Sequence, residues 1–223
     1  MTEVRVLLVD DDPLVRAGLR VMLDGHPAGV AGVIRVVGEA ADGDEVPAVV
    51  SAARPHVVLM DLRMPRCNGI AATEALRRLP DAPAVIVLTT FNADEHVLRA
   101  LRSGASGFLL KDTPPAGIVD AIRAAAEGDA PLSPAVARAL INLVTGTGTR
   151  TDQAQAARAR LARLNERERA VAHAVARGGS NAAIAGELSI SVATVKAYVS
   201  RLLRELDLDN RVQVALLVRD AQG

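Results

Sequence analysis

The stretch Val57-Val58-Leu59-Met60-Asp61 decides the fold, because four consecutive apolar residues end in a carboxylate. An apolar run without polar alternation is typical of a strand buried on both faces, as in a parallel sheet. Residues 4–9 end in the same way, since the four apolar residues 6–9 are followed by Asp10, Asp11 and Asp12. Both segments therefore predict central strands that carry acidic groups at their carboxyl ends.

Apolar strands alternate with helical patterns along the first half of the chain. Further strands are predicted at about residues 33–39, 84–88 and 107–110, and helices from Pro13 and at about 43–53, 68–78, 93–103 and 114–127. Five strand–helix units within residues 1–128 predict an α/β fold, a doubly wound five-stranded parallel sheet. The functional site of such a sheet lies beyond the carboxyl ends of its strands, where the strand order reverses.

Polar side chains stand at the carboxyl ends of four predicted strands. They are Asp10 and Asp11 after the first strand, Asp61 in the third, Thr89 after the fourth and Lys111 after the fifth. Because these ends share one edge of the sheet, the five side chains are expected to converge. Crowded carboxylates need a cation, and oxygen ligands with room for water and a phosphoryl group favour Mg²⁺. An aspartate in this setting can act as a nucleophile toward phosphorus.

The alternative is that these acids only cap the helices that follow. A side-chain oxygen directly before a helix accepts a free backbone N–H, and Asp12, which precedes Pro13, fits that role. Helix capping does not explain why Thr89 and Lys111 stand at the carboxyl ends of predicted strands. For the five residues as a set, we therefore favour phosphoryl chemistry.

The charges divide the chain into two halves. Residues 1–130 contain 18 acidic and 13 basic residues, which gives −5, and residues 131–223 contain 8 and 13, which gives +5. Only the second half is suited to a polyanion. Of the 26 basic residues only Lys111 and Lys196 are lysines. A chain of 223 residues also suits two small domains.

Three features of the sequence indicate the cellular compartment of the protein. No apolar run reaches the roughly 20 residues of a transmembrane helix. The first residues lack the basic region and cleavage site of a signal peptide. The single cysteine, Cys67, excludes an internal disulfide and fits a reducing compartment. We therefore expect a cytoplasmic protein.

The sequence after Gly128 is helical throughout. We predict a linker over residues 129–160, with a helix at 133–145, and an all-helical domain over residues 161–223. In this domain two helices at 181–188 and 192–206 are joined by a tight turn, which is typical of a helix-turn-helix. The second helix is expected to face the core with the apolar residues Val192, Val195, Val199, Leu202, Leu203 and Leu206.

The opposite face of this second helix carries small residues around Lys196. Ala193, Ala197, Ser200 and Arg204 share this side, with Thr194 and Arg201 at its margins. Small residues beside a lysine suit close approach to a DNA groove. An ordinary solvated face would show the same pattern, so periodicity alone leaves both interpretations open.

The Asp10-Asp11 pair, Asp61 with the following Met64-Pro65, Thr89 and Lys111 form one signature. With it, residues 4–127 resemble the receiver domain of two-component response regulators. The resemblance implies that Asp61 accepts a phosphoryl group from a histidine kinase. It further implies Mg²⁺ held by Asp11, Asp61 and the Arg63 backbone carbonyl, with Asp10 acting through water, a switch hydroxyl at Thr89, a phosphate-pairing Lys111 and a switch aromatic at Phe108.

A second signature comprises Leu164-Asn165-Glu166-Arg167-Glu168, Gly178-Gly179-Ser180-Asn181, Thr194-Val195-Lys196 and Arg211. With it, residues 164–217 resemble a LuxR-type DNA-binding domain, and the order of the two domains resembles the NarL/FixJ class. The resemblance implies DNA contacts by the recognition helix, at Thr194, Lys196, Ala197, Tyr198, Ser200, Arg201 and Arg204. It also implies a dimer interface on the last helix, at Val214, Leu217 and Val218.

Three residues depart from the LuxR-type pattern. Tyr198 stands where histidine is usual, Glu205 where lysine is common, and Asp207 where glycine often ends the helix. Glu205 removes a positive charge and is expected to weaken phosphate binding. Asp207 can adopt the left-handed conformation of a helix end, though less easily than glycine.

Together the resemblances imply a phosphorylation-dependent transcription regulator rather than an enzyme. Its implied partners are a sensor histidine kinase, double-stranded DNA with an inverted repeat, and a second copy of the chain. One alternative is a receiver that works without phosphorylation as a binding module, which the intact acidic site disfavours. Another is an aspartyl-phosphate hydrolase, but such enzymes usually carry a second acid where this chain has Arg63.

Overall fold

The computed structural model describes residues 3–27, 32–89, 99–132 and 150–222. The chain divides into two compact units, Met1–Ile141 and Asn142–Gly223. The helix expected at residues 133–145 lies outside the described residues. Of the helix expected at 93–103, residues 99–103 are described; residues 99–102 are helical and Ser103 lies in a turn.

The first unit is built on a five-stranded parallel sheet. Its strands are β1 (Glu3–Val9), β2 (Val33–Ala40), β3 (Val57–Asp61), β4 (Ala84–Thr89) and β5 (Gly107–Leu110). Their order across the sheet is β2-β1-β3-β4-β5. The order reverses between β1 and β3, so a crevice is expected at the carboxyl ends of these two strands. The predicted α/β doubly wound fold is confirmed.

Helices cover both faces of this sheet. One face packs on α1 (Pro13–Leu23) and α4 (Pro115–Ala126), and the other packs on α2 (Val46–Ala53) and α3 (Gly69–Arg77). The expected cap at Asp12 is present, since its carboxylate accepts the N–H of Leu14 at 2.8 Å. Leu14 itself is exposed, because the packed stripe of α1 runs through Leu19, Met22 and Leu23.

The second unit is all-helical where it is described. Its helices are α5 (Arg150–Leu161), α6 (Glu166–Ala176), α7 (Asn181–Leu188), α8 (Val192–Glu205) and α9 (Arg211–Gln222). All five contribute to one core, with Leu161, Val171, Ile184, Val195 and Val214 among its buried members. This arrangement confirms the predicted small all-α domain.

Helix α5 differs from the prediction that residues 129–160 are a linker. Ala154, Ala157 and Leu161 are buried, and Arg158 donates to the carbonyl of Ala221 in α9 at 2.7 Å. The guanidinium of Arg160 also donates to a backbone carbonyl at the end of α8. The packed stripe consists mainly of alanine, whose small apolar surface gives a weak periodic signal. Residues 150–161 therefore belong to the second unit.

Polar side chains begin the helices of the second unit. Asn165 and Glu168 form a capping box at α6, and Ser180 and Ser191 accept backbone N–H groups at the starts of α7 and α8. After α8, Asp207 has a φ of +49°. The left-handed conformation expected at this helix end is thus present without glycine.

Within the described ranges, no single helix is long and apolar enough to cross a bilayer. The bent pair α7 and α8 reaches that length and composition only when the two helices are counted together.

Candidate functional site

The carboxyl ends of the strands assemble a charged site at one edge of the sheet. The register of β1 against β3 brings Asp10 beside Asp61, and both are buried. Thr89 is buried at the end of β4, and its carbonyl accepts the N–H of Lys111 at 2.7 Å. Three of the five predicted side chains, those of Asp10, Asp61 and Lys111, therefore come together here, and Thr89 is joined to Lys111 through its backbone.

Lys111 is the centre of this site. Its Nζ lies 2.6 Å from Oδ2 of Asp10 and 2.9 Å from Oδ1 of Asp61. The other oxygens accept backbone N–H groups, from Asp12 to Asp10 at 3.0 Å and from Arg63 to Asp61 at 2.8 Å. Each carboxylate is thus held by one ammonium and one amide, contacts that are stronger than neutral hydrogen bonds.

Burial perturbs both charged partners. Desolvation raises the pKa of the Asp61 carboxyl and outweighs the lowering by Lys111 and the Arg63 amide, and the nearby charge of Asp10 adds to the rise. Desolvation lowers the pKa of Lys111, but the hydrogen bonds and charges of the two carboxylates outweigh it, so the net pKa is raised. A desolvated carboxylate beside a fixed cation is typical of a functional site.

Two further residues were predicted for this site, Asp11 and Phe108. Asp11 is exposed, directly after the buried Asp10, so its carboxylate is open to a ligand from solvent. Phe108 is fully buried in β5, and its N–H donates to the carbonyl of Pro131 at 2.9 Å. The chain that leaves α4 is therefore bonded to the strand that carries the predicted switch aromatic.

Asp42 is a buried residue of this region that sequence reasoning missed. Its Oδ1 accepts the N–H of Cys67 at 2.8 Å and its Oδ2 that of Arg66 at 2.9 Å. These bonds tie the loop after Asp61 to the turn before α2, and the turn explains why α2 begins at Val46 rather than at residue 43. The Asp-Gly pair signals a turn in the sequence, but nothing in it names a partner so far along the chain.

The donor set fits a hard divalent cation. Asp10 and Asp61 offer only oxygen atoms, and the exposed Asp11 adjoins them. Mg²⁺ binds through one or two carboxylates and keeps several waters, so it needs no protein cage. Among the residues that the structure describes, no three His, Cys, Asp or Glu side chains are grouped as a metal cluster.

The second candidate site is the surface of α8. Helices α7 and α8 are bent by 107° across the short turn between them, the geometry of a helix-turn-helix. Tyr198 is half-buried and packs against the core of the unit. The other predicted DNA-facing residues are all exposed, namely Thr194, Lys196, Ala197, Ser200, Arg201 and Arg204.

Two apolar assignments in this unit are wrong. Val192, expected in the core, is 42% exposed because it lies in the first turn of α8, before the packed stripe begins at Val195. Val214, Leu217 and Val218, expected at a dimer interface, are buried in the core of their own unit. Helix α9 packs against α5 and α6, so these three side chains are not available to a second copy.

The fold and the two sites define a class: a receiver-type acidic site on an α/β domain, followed by a helix-turn-helix domain. Residues 6–123 match the family model of the response regulator receiver domain, and residues 162–218 match that of the bacterial regulatory proteins of the luxR family. The chain belongs to the two-component response regulators with a LuxR-type DNA-binding domain.

Curated relatives are similar over both domains. The chain is 37% identical to the uncharacterized transcriptional regulatory protein YxjL of Bacillus subtilis, over 96% of this chain and 94% of that one. It is 33% identical to the nitrate/nitrite response regulator NarL of Escherichia coli K12, over 96% and 94%. The solved response regulator ChrA of a heme-sensing two-component system has 35% identity and a TM-score of 0.54, over 100% and 99% of the chains. The predicted role as a DNA-binding transcriptional regulator is confirmed.

Proposed function

We propose that phosphorylation of Asp61 controls DNA binding by this regulator. The observation that supports this most directly is the contact between Lys111 and Asp61 at 2.9 Å, at the tip of a central strand and beside a second buried carboxylate. A carboxylate held in this way presents a fixed nucleophile, and the ammonium beside it is ready to neutralise an incoming phosphoryl group.

The chemistry assigned to the chain is a single phosphoryl transfer. A carboxylate oxygen of Asp61 forms a bond to phosphorus while the bond from phosphorus to the donor breaks and the donor keeps the electron pair. Lys111 stabilises the negative charge on the transferring group. Asp10, Asp11, Asp61 and the carbonyl of Arg63 would hold Mg²⁺, which when bound supplies positive charge to the phosphoryl oxygens.

The response to phosphorylation is assigned to the residues around Lys111. An acyl phosphate on Asp61 draws the hydroxyl of Thr89 and the ammonium of Lys111 inward, and the buried Phe108 follows. Such a local change of charge and packing alters the surface around β5. We assign two consequences to it, release of the recognition helix and promotion of dimerisation.

The phosphoryl donor is a sensor histidine kinase in the cytoplasm, and the chain acts as a regulator without an enzymatic substrate of its own. Two copies bind an inverted repeat whose half-sites lie about one helical turn apart. The receiver spans residues 1–128, and the DNA-binding unit includes α5 at its amino end.

The experiment that tests the proposed function adds a small phosphodonor and Mg²⁺ to the full-length protein. We expect DNA affinity to rise or the oligomeric state to change, measured by fluorescence anisotropy with duplex DNA and by sedimentation. If the protein incorporates phosphate and neither property changes, the receiver is a binding module that works independently of phosphorylation. Steady phosphate release from a generic phosphatase substrate would instead favour a hydrolase.

Replacing Lys196 by alanine tests the DNA-facing surface. Lys196 is exposed on α8, and loss of one phosphate contact is expected to weaken DNA binding about five-fold and to lower the slope of log affinity against log salt by about 0.9. The control is Arg123→Ala in the first unit, which removes the same charge. An unchanged salt slope for Lys196→Ala would take this residue out of the interface.

A further inference from the structure

Arg201 on α8 is held by two carboxylates through a single nitrogen. Its Nε donates to Oε1 of Glu205 at 2.8 Å and lies 2.9 Å from Oε1 of Glu168. The second contact is an ion pair without the angle of a hydrogen bond. Both carboxylates raise the pKa of the guanidinium, the hydrogen bond of Glu205 most of all.

The two carboxylates differ in how they are fixed. Glu168 is 2% exposed, and its other oxygen accepts the N–H of Asn165 in the capping box of α6 at 2.9 Å. A buried carboxylate is costly unless it is paired, and Arg201 supplies the opposite charge. Glu205 is partly exposed, one helical turn after Arg201. Glu168 is therefore fixed in the core of the unit, whereas Glu205 belongs to the recognition helix itself.

This arrangement leaves the far end of the guanidinium available. Both contacts use Nε, and within the described residues Nη1 and Nη2 have no hydrogen-bond partner. The side chain of Arg201 is 53% exposed. It lies in line with the exposed Thr194 and Ala197, which precede it by two turns and one turn of α8. A guanidinium fork oriented in this way matches the geometry of a phosphate group.

We propose that Arg201 contacts a DNA backbone phosphate through Nη1 and Nη2, and that Glu205 and Glu168 are positioning residues that orient it. Charge alone gives Glu205 the opposite effect, because a carboxylate on the DNA-facing helix repels phosphate. The effect of orientation outweighs this repulsion. An unrestrained arginine side chain loses rotamer entropy when DNA immobilises it, whereas Arg201 is already fixed by the two carboxylates before DNA binds. The proposal rests on α8 as the DNA-facing helix, which Lys196→Ala tests separately.

The test compares Glu205→Ala with Glu205→Gln in the full-length protein. The probe is a fluorescent random-sequence duplex of about 30 base pairs, titrated between about 50 and 200 mM salt with phosphodonor and Mg²⁺ present. Glutamine keeps an acceptor for Nε without the charge, and alanine keeps neither. We expect Glu205→Ala to bind about five-fold more weakly and Glu205→Gln to remain within about two-fold of the unmodified protein.

Two further variants complete the test. Arg201→Ala is expected to lower the salt slope by about 0.9, and adding Glu205→Ala to it is expected to cause no further weakening. Asp120→Ala in the first unit makes the same change of net charge as Glu205→Ala and is expected to leave the affinity unchanged. Tighter or unchanged binding by Glu205→Ala would overturn the proposal. So would an Arg201→Ala slope equal to that of the unmodified protein while Lys196→Ala lowers it.

Discussion

Asp61→Asn is expected to abolish incorporation of phosphate from a small phosphodonor and Mg²⁺. The amide has nearly the shape of the carboxylate and can still accept the N–H of Arg63, which bonds Asp61 at 2.8 Å. It lacks the negative oxygen that attacks phosphorus and that pairs with Lys111. The measurement is the mass of the intact protein, which rises by about 80 Da when one phosphoryl group is bound.

Asp12→Asn is the matched control for this prediction. Asp12 lies at the same edge of the sheet, but it is exposed and caps α1, a role that asparagine also fills. This variant is expected to incorporate phosphate as the unmodified protein does. Labelling that survives Asp61→Asn would move the acceptor to another carboxylate, with Asp10 the first to test because it shares Lys111.

Val214→Asp is expected to unfold the second unit while the first unit stays folded. Val214 is fully buried between α9 and its neighbours, and an unpaired carboxylate in an apolar core costs several kcal/mol, about 3–5. Circular dichroism in a denaturant titration is expected to show loss of the transition that belongs to the helical unit. DNA binding is lost with it.

The control for Val214→Asp is Ala215→Asp, at the next position of α9, which is half-exposed. There the carboxylate reaches water, and the expected cost is mainly that of a poorer helix former, roughly 0.5 kcal/mol. A Val214→Asp protein that remains fully folded as a monomer and loses only self-association would return this position to a dimer interface.

The sheet was predictable from the sequence because its central strands contain runs of four or more consecutive apolar residues. The site followed from the same runs, since Asp61, Thr89 and Lys111 mark their carboxyl ends. Asp42 was not predictable, because its partners are backbone amides of a distant loop. A pattern along one segment carries no information about such a contact.

The helical unit shows a second limit of sequence reasoning. In α9 apolar residues fill more than one face, so periodicity could not decide that Val214, Leu217 and Val218 face inward. The packing of α5 into the second unit was missed for the opposite reason, because its packed side is mostly alanine. The i,i+4 spacing of Arg201 and Glu205 was visible in the sequence, but the buried Glu168 that completes the contact required the fold.

The strand order also governs when the acidic site can exist during biosynthesis. Its members Asp10 and Lys111 lie near opposite ends of the first domain, and β1 can be enclosed only after β3 has been made. Closing such long loops is slow, whereas a helical bundle with local contacts folds quickly. A nascent chain therefore cannot form the contacts of Lys111 with Asp10 and Asp61 until nearly the whole receiver has left the ribosome. Under the function proposed for Asp61, an incompletely synthesised chain is not phosphorylated, and only a fully folded receiver responds to a kinase.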